Sequence, residues 1–202
     1  MKTLSTPWGP AQYVHYHGDD RQVLRVGTSE HGGIGVLPAA PMPDYLAALG
    51  HTDVYGTRWY EEDIAWAIAV TAFPGRFEPS WVVAAKETMR HEFPEAYMTH
   101  YGVVLTAETS RLLERRQFEA ATRNSYTVTA SFGEWAWNVP VGFVYACGWR
   151  RNDESTAGFL VPAEKYLNPG RLVLDEFPRW EPDRSIPAYK PKAATPTAAI
   201  AA

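Results

Sequence analysis

The chain has 202 residues, of which 46% are hydrophobic, and its 19 basic and 23 acidic residues give a net charge of −4 at pH 7. This balance describes a globular protein and argues against general binding to a nucleic-acid backbone, which requires basic surface. The single cysteine, Cys147, excludes an intramolecular disulfide. Because the first residues lack an apolar signal segment and no window reaches the roughly 20 apolar residues of a membrane span, we expect a cytoplasmic protein with no membrane contact.

Alternation of apolar and polar residues predicts strands in the first third of the chain. Residues 11–17 and 21–26 flank a Gly-Asp-Asp turn, which predicts a β-hairpin. A second, glycine-containing turn precedes a short apolar strand at 34–37. A short helix is expected at 44–49, ending at Gly50.

The middle of the chain is predicted to be helical. Residues 64–73 are apolar nearly all round, so this helix should be buried on most sides. The three acids at 61–63 precede it, and we expect them in its first turn, where negative charge complements the helix dipole. Two further helices are predicted, at 80–93 and at 106–123.

The last third returns to strands, predicted at 126–132, 141–149, 158–161 and 172–174. The order of strands, helices and strands predicts an α+β fold. We expect a mainly antiparallel sheet built from the N- and C-terminal strands and packed against the central helical segment. Residues 1–187 are predicted to form a single domain. The Ala/Pro/Thr-rich residues 188–202 are predicted to be a disordered tail whose removal leaves stability within roughly 0.5 kcal/mol.

The turn Thr-Ser-Glu-His-Gly-Gly at 28–33 is the first candidate site. Its histidine, His31, is a candidate catalytic residue, because imidazole titrates near neutral pH and the adjacent glycines leave room for a substrate. Ser29, Gly32 and Gly33, which lie in the same turn, are candidate binding residues. The structural alternative is a turn in which the glycines relieve strain and the histidine caps a backbone group.

A cluster of acids forms the second candidate site. Glu61, Glu62 and Asp63 are candidate general bases, and Tyr60 beside them is a candidate binding residue. We expect His31 to lie near these acids, with at least one carboxylate close enough to hydrogen-bond the imidazole. The alternative is that the acids serve only to start the following helix. No metal-binding or cofactor motif is present, so we predict neither.

The aromatic loop at residues 135–138 is a third candidate. Trp135, Trp137 and Asn138 are candidate binding residues, because two indoles on one loop can grip a protein partner. Equally, both rings could close over the end of a sheet.

Several motifs in order resemble one bacterial family. They lie at residues 6–12, 28–34, 59–63, 137–142 and 159–166. Together they cover roughly residues 6–178 and are similar to a family described only as a domain of unknown function, number seven thousand and seven. This resemblance implies accessory work for plasmids, phages or other mobile elements, and it favours a role for His31 and the acids at 61–63 beyond capping turns. It implies no activity or cofactor.

Two functions follow as hypotheses. The first is a binding protein that contacts a host or element protein, for example to modulate host defence, and this suits the aromatic content and the negative charge. The alternative is a small hydrolase or nucleotide-modifying enzyme that uses His31 with an acid from residues 61–63. The sequence does not indicate an oligomeric state.

Overall fold

A computed structural model describes residues 4–186 together with Ala188 and Tyr189. The chain divides into two compact units, Met1–Arg115 and Arg116–Ala202. The prediction that residues 1–187 form a single domain stays a prediction. Residues 190–202 of the predicted tail lie outside the described residues. Ala188 accepts a backbone hydrogen bond from Trp137 at 3.0 Å, and Tyr189 stacks on Trp135.

The secondary structure of both units follows in chain order. The strands and helices are β1 (Ser5–Thr6), β2 (Gly9–Pro10), β3 (Tyr13–His17), β4 (Val23–Gly27), β5 (Gly32–Val36), α1 (Asp44–Ala47), β6 (His51–Thr52), β7 (Arg58–Glu61), α2 (Trp66–Ala72), α3 (Pro79–Glu92), α4 (Pro94–Tyr101), α5 (Arg111–Ala121), β8 (Tyr126–Phe132), β9 (Phe143–Arg150) and β10 (Ser155–Pro162).

The first unit is built on a five-stranded antiparallel sheet. Its strand order is β3-β4-β5-β7-β6, and the predicted hairpin of β3 and β4 is confirmed. Side chains alternate between the two faces of the sheet. On one face Ile34, Val36 and Tyr60 join the main core, whereas Leu24 and Trp59 on the other face form a smaller cluster with Trp8.

The helices of the first unit cover one face of that sheet. Helix α2 is apolar on every side, and Ala67, Ile68, Ala69 and Val70 are fully buried, as the sequence predicts. Helix α3 packs on α2 and contributes Met89 to the same core. The sheet therefore carries a covered face toward α2 and α3.

The second unit contains an antiparallel meander in the order β10-β9-β8. Its core is formed by six buried residues: Tyr126, Ala146, Phe159, Val161, Leu174 and Phe177. Each strand pairs with its neighbour in sequence, the usual arrangement for consecutive antiparallel strands.

The α+β class is confirmed, with antiparallel pairing throughout the described sheets. The prediction that N- and C-terminal strands share one sheet is wrong. The early strands take β7 as their additional partner, whereas β8, β9 and β10 pair among themselves. Hairpin neighbours pair at a lower entropy cost than strands separated by a helical segment, which favours two separate sheets.

The helix predicted at 80–93 is observed as α3, and Pro94 directly after it is the first residue of α4, a position where its fixed φ is favourable. Two other predicted elements differ from the observed ones. The helix predicted at 106–123 begins only at Arg111. The strand predicted at 172–174 is reduced to one bridge between Thr127 and Val173.

Candidate functional site

The turn between β4 and β5 is held by Thr28. Its hydroxyl oxygen accepts from the His31 backbone N–H at 3.1 Å and donates to the His31 carbonyl oxygen at 2.9 Å. The His31 imidazole and Ser29 are exposed. The turn is thus fixed by threonine, and the histidine side chain has no capping role.

The acids at 61–63 do not form the first turn of α2, so that prediction is wrong. Glu61 is the last residue of β7, and the helix begins only at Trp66. The Glu61 carboxylate accepts the backbone N–H groups of Asp63 at 2.5 Å, Ile64 at 2.9 Å and Ala65 at 3.0 Å. It therefore closes the turn between β7 and α2.

The pKa of Glu61 reflects this capping. Burial by itself raises the pKa of the carboxyl, but the three backbone N–H donors and the nearby His31 imidazole outweigh burial, and the pKa lies below its ordinary value. Charge on Glu61 is thus stabilised by the fold, which suits a cap better than a general base.

We expect Glu61→Ala to lower the free energy of unfolding by about 0.5–2 kcal/mol, the range for loss of a capping side chain. Because the folded pKa is depressed, this contribution is present above the ordinary carboxyl pKa of 4.5 and is lost as pH falls through the folded pKa. Urea unfolding at about pH 7 and about pH 3 measures both. The matched control Asp63→Ala should change stability by less than about 0.5 kcal/mol at either pH. Equal losses for both variants would contradict the capping role.

Pairing of β5 with β7 brings the two predicted clusters together. Gly33 lies opposite Glu61, and the Glu62 backbone N–H donates to the Gly32 carbonyl oxygen at 3.1 Å. The Glu62 carboxylate also lies against Gly32, 2.6 Å from where a Cβ would stand. Among the described residues, however, no hydrogen bond joins the His31 imidazole to a carboxylate. The segments converge, but the expected orienting contact is not formed.

Three of the predicted binding residues are buried, and one of them, Gly33, also lines a cavity of about 330 Å³. Tyr60 is fully buried, and its hydroxyl donates to the Leu46 carbonyl oxygen at 3.3 Å. Burial raises the pKa of Tyr60 to about 12. Gly32 and Gly33 are buried in β5, where neighbouring atoms leave no room for a side chain. Assigning Tyr60 to a binding surface was wrong, because its ring fills the core.

A cleft between the sheet and α3 is a feature that the sequence did not predict. One cavity of about 330 Å³ is lined by Arg25, Glu62, Trp66, Trp81 and neighbouring residues. A second cavity of about 460 Å³ shares Arg25 and Trp81 with the first and extends toward β3. Both volumes fall in the range of small-ligand sites. We call the two cavities together the α3 cleft.

Arg25 and Trp81 meet at the centre of the α3 cleft. The Arg25 guanidinium lies 5.2 Å from the centre of the Trp81 ring, which also contacts Trp66 edge-on at 5.5 Å. Among the described residues no carboxylate pairs with Arg25. The indole attracts the Arg25 cation without neutralising it, so the guanidinium keeps its full charge.

Two histidines of β3 line the second cavity of the α3 cleft, which we call its polar end. The rings of His15 and His17 lie 4.9 Å apart, and His17 also contacts Phe77 at 4.4 Å. Burial lowers the pKa of His17, and the nearby His15 and Arg25 lower it further, against one opposing hydrogen bond from the imidazole to the Arg76 backbone. The sequence signal for this grouping is the two-residue alternation of side chains in β3 and β4. It places Tyr13, His15 and His17 on one face of the sheet.

The aromatic loop of the second unit packs against its own sheet. Trp137 contacts Phe132 at 4.8 Å and Tyr145 at 6.0 Å, both edge-on. The Asn138 side-chain oxygen accepts the Asp183 backbone N–H at 2.8 Å. Trp135 also contacts Phe132, although 45% of its surface stays exposed. These contacts favour rings that close over the sheet end, and Tyr189 stacks on one face of the partly exposed Trp135.

The part of the chain that the structure describes lacks two further features, a membrane-spanning helix and a cluster of metal-ligating side chains. No helix there combines the length and apolar character that crossing a membrane requires. Nor do three or more His, Cys, Asp or Glu side chains gather there at a spacing suited to a metal ion.

Comparison with known proteins gives one positive result. No curated protein and no solved structure matches the chain. A family profile matches residues 1–123, which include the α3 cleft, His31 and the acids at 61–63. The predicted resemblance of residues 137–142 and 159–166 falls outside that match and stays a prediction. The chain belongs to the family described as Domain of unknown function (DUF7007).

Proposed function

We propose that this protein is a cytoplasmic accessory protein of a plasmid, phage or other mobile element, and that it binds a host or element protein through the α3 cleft. The observation that carries the proposal is the unpaired Arg25 guanidinium over Trp81, at the junction of two open cavities. The mobile-element context comes from the family resemblance.

The residue types in the cleft suit a protein partner. Tryptophan, tyrosine and arginine dominate the binding energy of protein interfaces, and Trp66, Trp81, Tyr13 and Arg25 all line the two cavities. Glu62 lines the far side of the smaller cavity, so the cleft presents opposite charges at two places. A partner segment with an acidic residue near a basic one would complement both.

The enzyme hypothesis keeps one supporting observation, the convergence of His31 with Glu61 and Glu62 across the β5–β7 pair. Its weakness is that the Glu61 carboxylate already accepts three backbone N–H groups. A general base needs a free oxygen within reach of the proton it removes. Binding is therefore the better-supported function.

Site-specific crosslinking in the native cell tests the proposal. A photoreactive benzophenone amino acid at Ala84, which lines the cleft, should give one discrete adduct with a partner protein. The matched control is the same group at Val83, the adjacent residue of α3, which is 66% exposed and does not line the described cavities. Adding Arg25→Gln should reduce the Ala84 adduct at least about tenfold, as for loss of an interface residue worth 1.4 kcal/mol or more.

The result that would contradict cleft binding is an Ala84 adduct that Arg25→Gln leaves unchanged, or equal adducts from both positions. His31→Gln separates the two functions. It should leave the adduct intact if the cleft binds a protein. Loss of biological function with an unchanged adduct would instead favour the enzyme hypothesis.

A further inference from the structure

We infer that His15, His17 and Arg25 form a subsite in the α3 cleft for a carboxylate of the partner protein, and that this subsite binds more tightly as pH falls. The inference rests on the proposed function, since it assigns the chemistry of the segment that enters the cleft. It concerns only the polar end, where the cavity measures about 460 Å³.

Strand pairing places the three groups on one face. His15 lies directly opposite Arg25 in the β3–β4 register, and His17 is two residues further along the same face. The neighbouring rings of His15 and His17 are 4.9 Å apart. Three side chains that can each be cationic therefore line one cavity from two adjacent strands.

The remaining charged and titratable groups at this end include one carboxylate, Glu78, that lines the same cavity. The residues that face the polar end, or pair with one that does, are Tyr13, Tyr16, Asp20, Arg76 and Glu78, with Glu62 in the adjoining cavity. Arg76 pairs with Asp20 and holds the pKa of that carboxyl at about 2, so the pair stays ionised and neutral overall between pH 6 and pH 8.

Charge at the polar end therefore depends on the histidines. Arg25 and Glu78 contribute opposite single charges, so the end is close to neutral while both imidazoles are neutral. Protonation of His17 adds positive charge that no described carboxylate pairs with. An entering carboxylate would supply the missing counter-charge.

One nitrogen of the His17 side chain also lacks a partner. The His17 Nε2 is buried and makes no hydrogen bond among the described residues. A buried polar atom without a partner is uncommon in folded proteins and is typically satisfied by a water or ligand. Protonated His17 therefore has one hydrogen-bond donor that no described residue accepts.

The pH dependence follows from the sign of the His17 shift. Burial, His15 and Arg25 together lower the pKa of His17 in the free protein. A bound carboxylate favours the charged imidazole and raises that pKa, so binding takes up a proton. Affinity should therefore increase as pH falls through the region between the bound and the free pKa.

A carboxylate is favoured over a nucleic-acid phosphate on charge. The chain carries a net charge of −4, which opposes accumulation along a phosphate backbone. A carboxylate and a phosphate share oxyanion chemistry, however, so the experiment must separate them.

The test titrates the full chain with three probes at about pH 6 and about pH 8. These are the blocked tripeptide Gly-Glu-Gly, its neutral counterpart Gly-Gln-Gly, and inorganic sulfate. The glutamyl carboxyl ionises far below this range, so its charge stays constant between the two conditions. The readout is the imidazole NMR signals of His15 and His17, assigned with the variants His15→Gln and His17→Gln.

We expect the glutamyl peptide to shift both imidazole signals and to bind up to about tenfold more tightly at the lower pH, the effect of one pKa unit. The glutaminyl peptide should give no saturable shift. Arg25→Gln should abolish the difference between the peptides. The control His51→Gln, on β6 at the other edge of the sheet, should leave it unchanged.

Binding of the glutamyl peptide that is independent of pH or of Arg25 would overturn the subsite. So would binding of sulfate without the glutamyl peptide, which would assign the cleft to a phosphate-like anion. The two proposals fail separately. A pH-dependent shift with the glutamyl peptide but no crosslink from Ala84 would support the subsite and contradict the protein-binding function. A crosslink from Ala84 without the pH-dependent shift would contradict only the subsite.

Discussion

Ile68→Ala is expected to lower the free energy of unfolding by about 2–5 kcal/mol, as for other large-to-small changes in a packed core. Ile68 is fully buried at the centre of α2, among residues from the sheet and from α3. The lost methyl and methylene groups leave a cavity that a helix buried on every side cannot collapse to fill. Urea unfolding followed by circular dichroism measures the change.

The matched control for Ile68→Ala is Val83→Ala. Val83 lies on α3 and is 66% exposed, so its truncation should change stability by less than about 0.5 kcal/mol. A loss below about 1 kcal/mol for Ile68→Ala would show that α2 is not enclosed, and the description of the first core would then be wrong.

Gly33→Ala is expected to cost about 1–3 kcal/mol, the usual range for overpacking. A Cβ at this position would stand 2.3 Å from the Tyr60 carbonyl oxygen and 2.4 Å from the Trp8 ring. The carbonyl oxygen belongs to the paired strand β7, so relief requires the two strands to separate. The indole can shift only by disturbing its contact with Trp59.

Gly75→Ala is the control for Gly33→Ala. No atom lies within 4 Å of a Cβ placed on Gly75, so this substitution should be close to neutral in thermal unfolding. Unchanged stability in Gly33→Ala would mean that β5 and β7 adjust freely. That outcome would also weaken the argument that close packing, and not contact with a ligand, requires a glycine at position 33.

Local patterns were enough to predict several elements. The hairpin of β3 and β4, the all-apolar helix α2 and strand β8 were predicted from residue spacing alone. Such patterns work because the 2.0 and 3.6 periods of strand and helix act within one segment. The prediction that the acids at 61–63 form the first turn of α2 is wrong, since spacing alone does not reveal that Glu61 pairs with Gly33 across the sheet.

The candidate site was predicted in part. The sequence located His31 and the acids at 61–63 and expected them to be close, and strand pairing does bring the two segments together. It did not predict that the Glu61 carboxylate is occupied by three backbone groups. It also did not single out Arg25 or Trp81, because each is unremarkable within its own strand or helix.

The sequence by itself determined the fold class, the main strands and helices, and the family. Only the tertiary structure decided which strands share a sheet, which charges remain unpaired and where a cavity opens. The physical reason is that periodicity reports which side of a segment is apolar, whereas pairing depends on distant segments. Arg25 and Trp81 are far apart in sequence and meet only because α3 covers part of one sheet face, leaving the α3 cleft beside it.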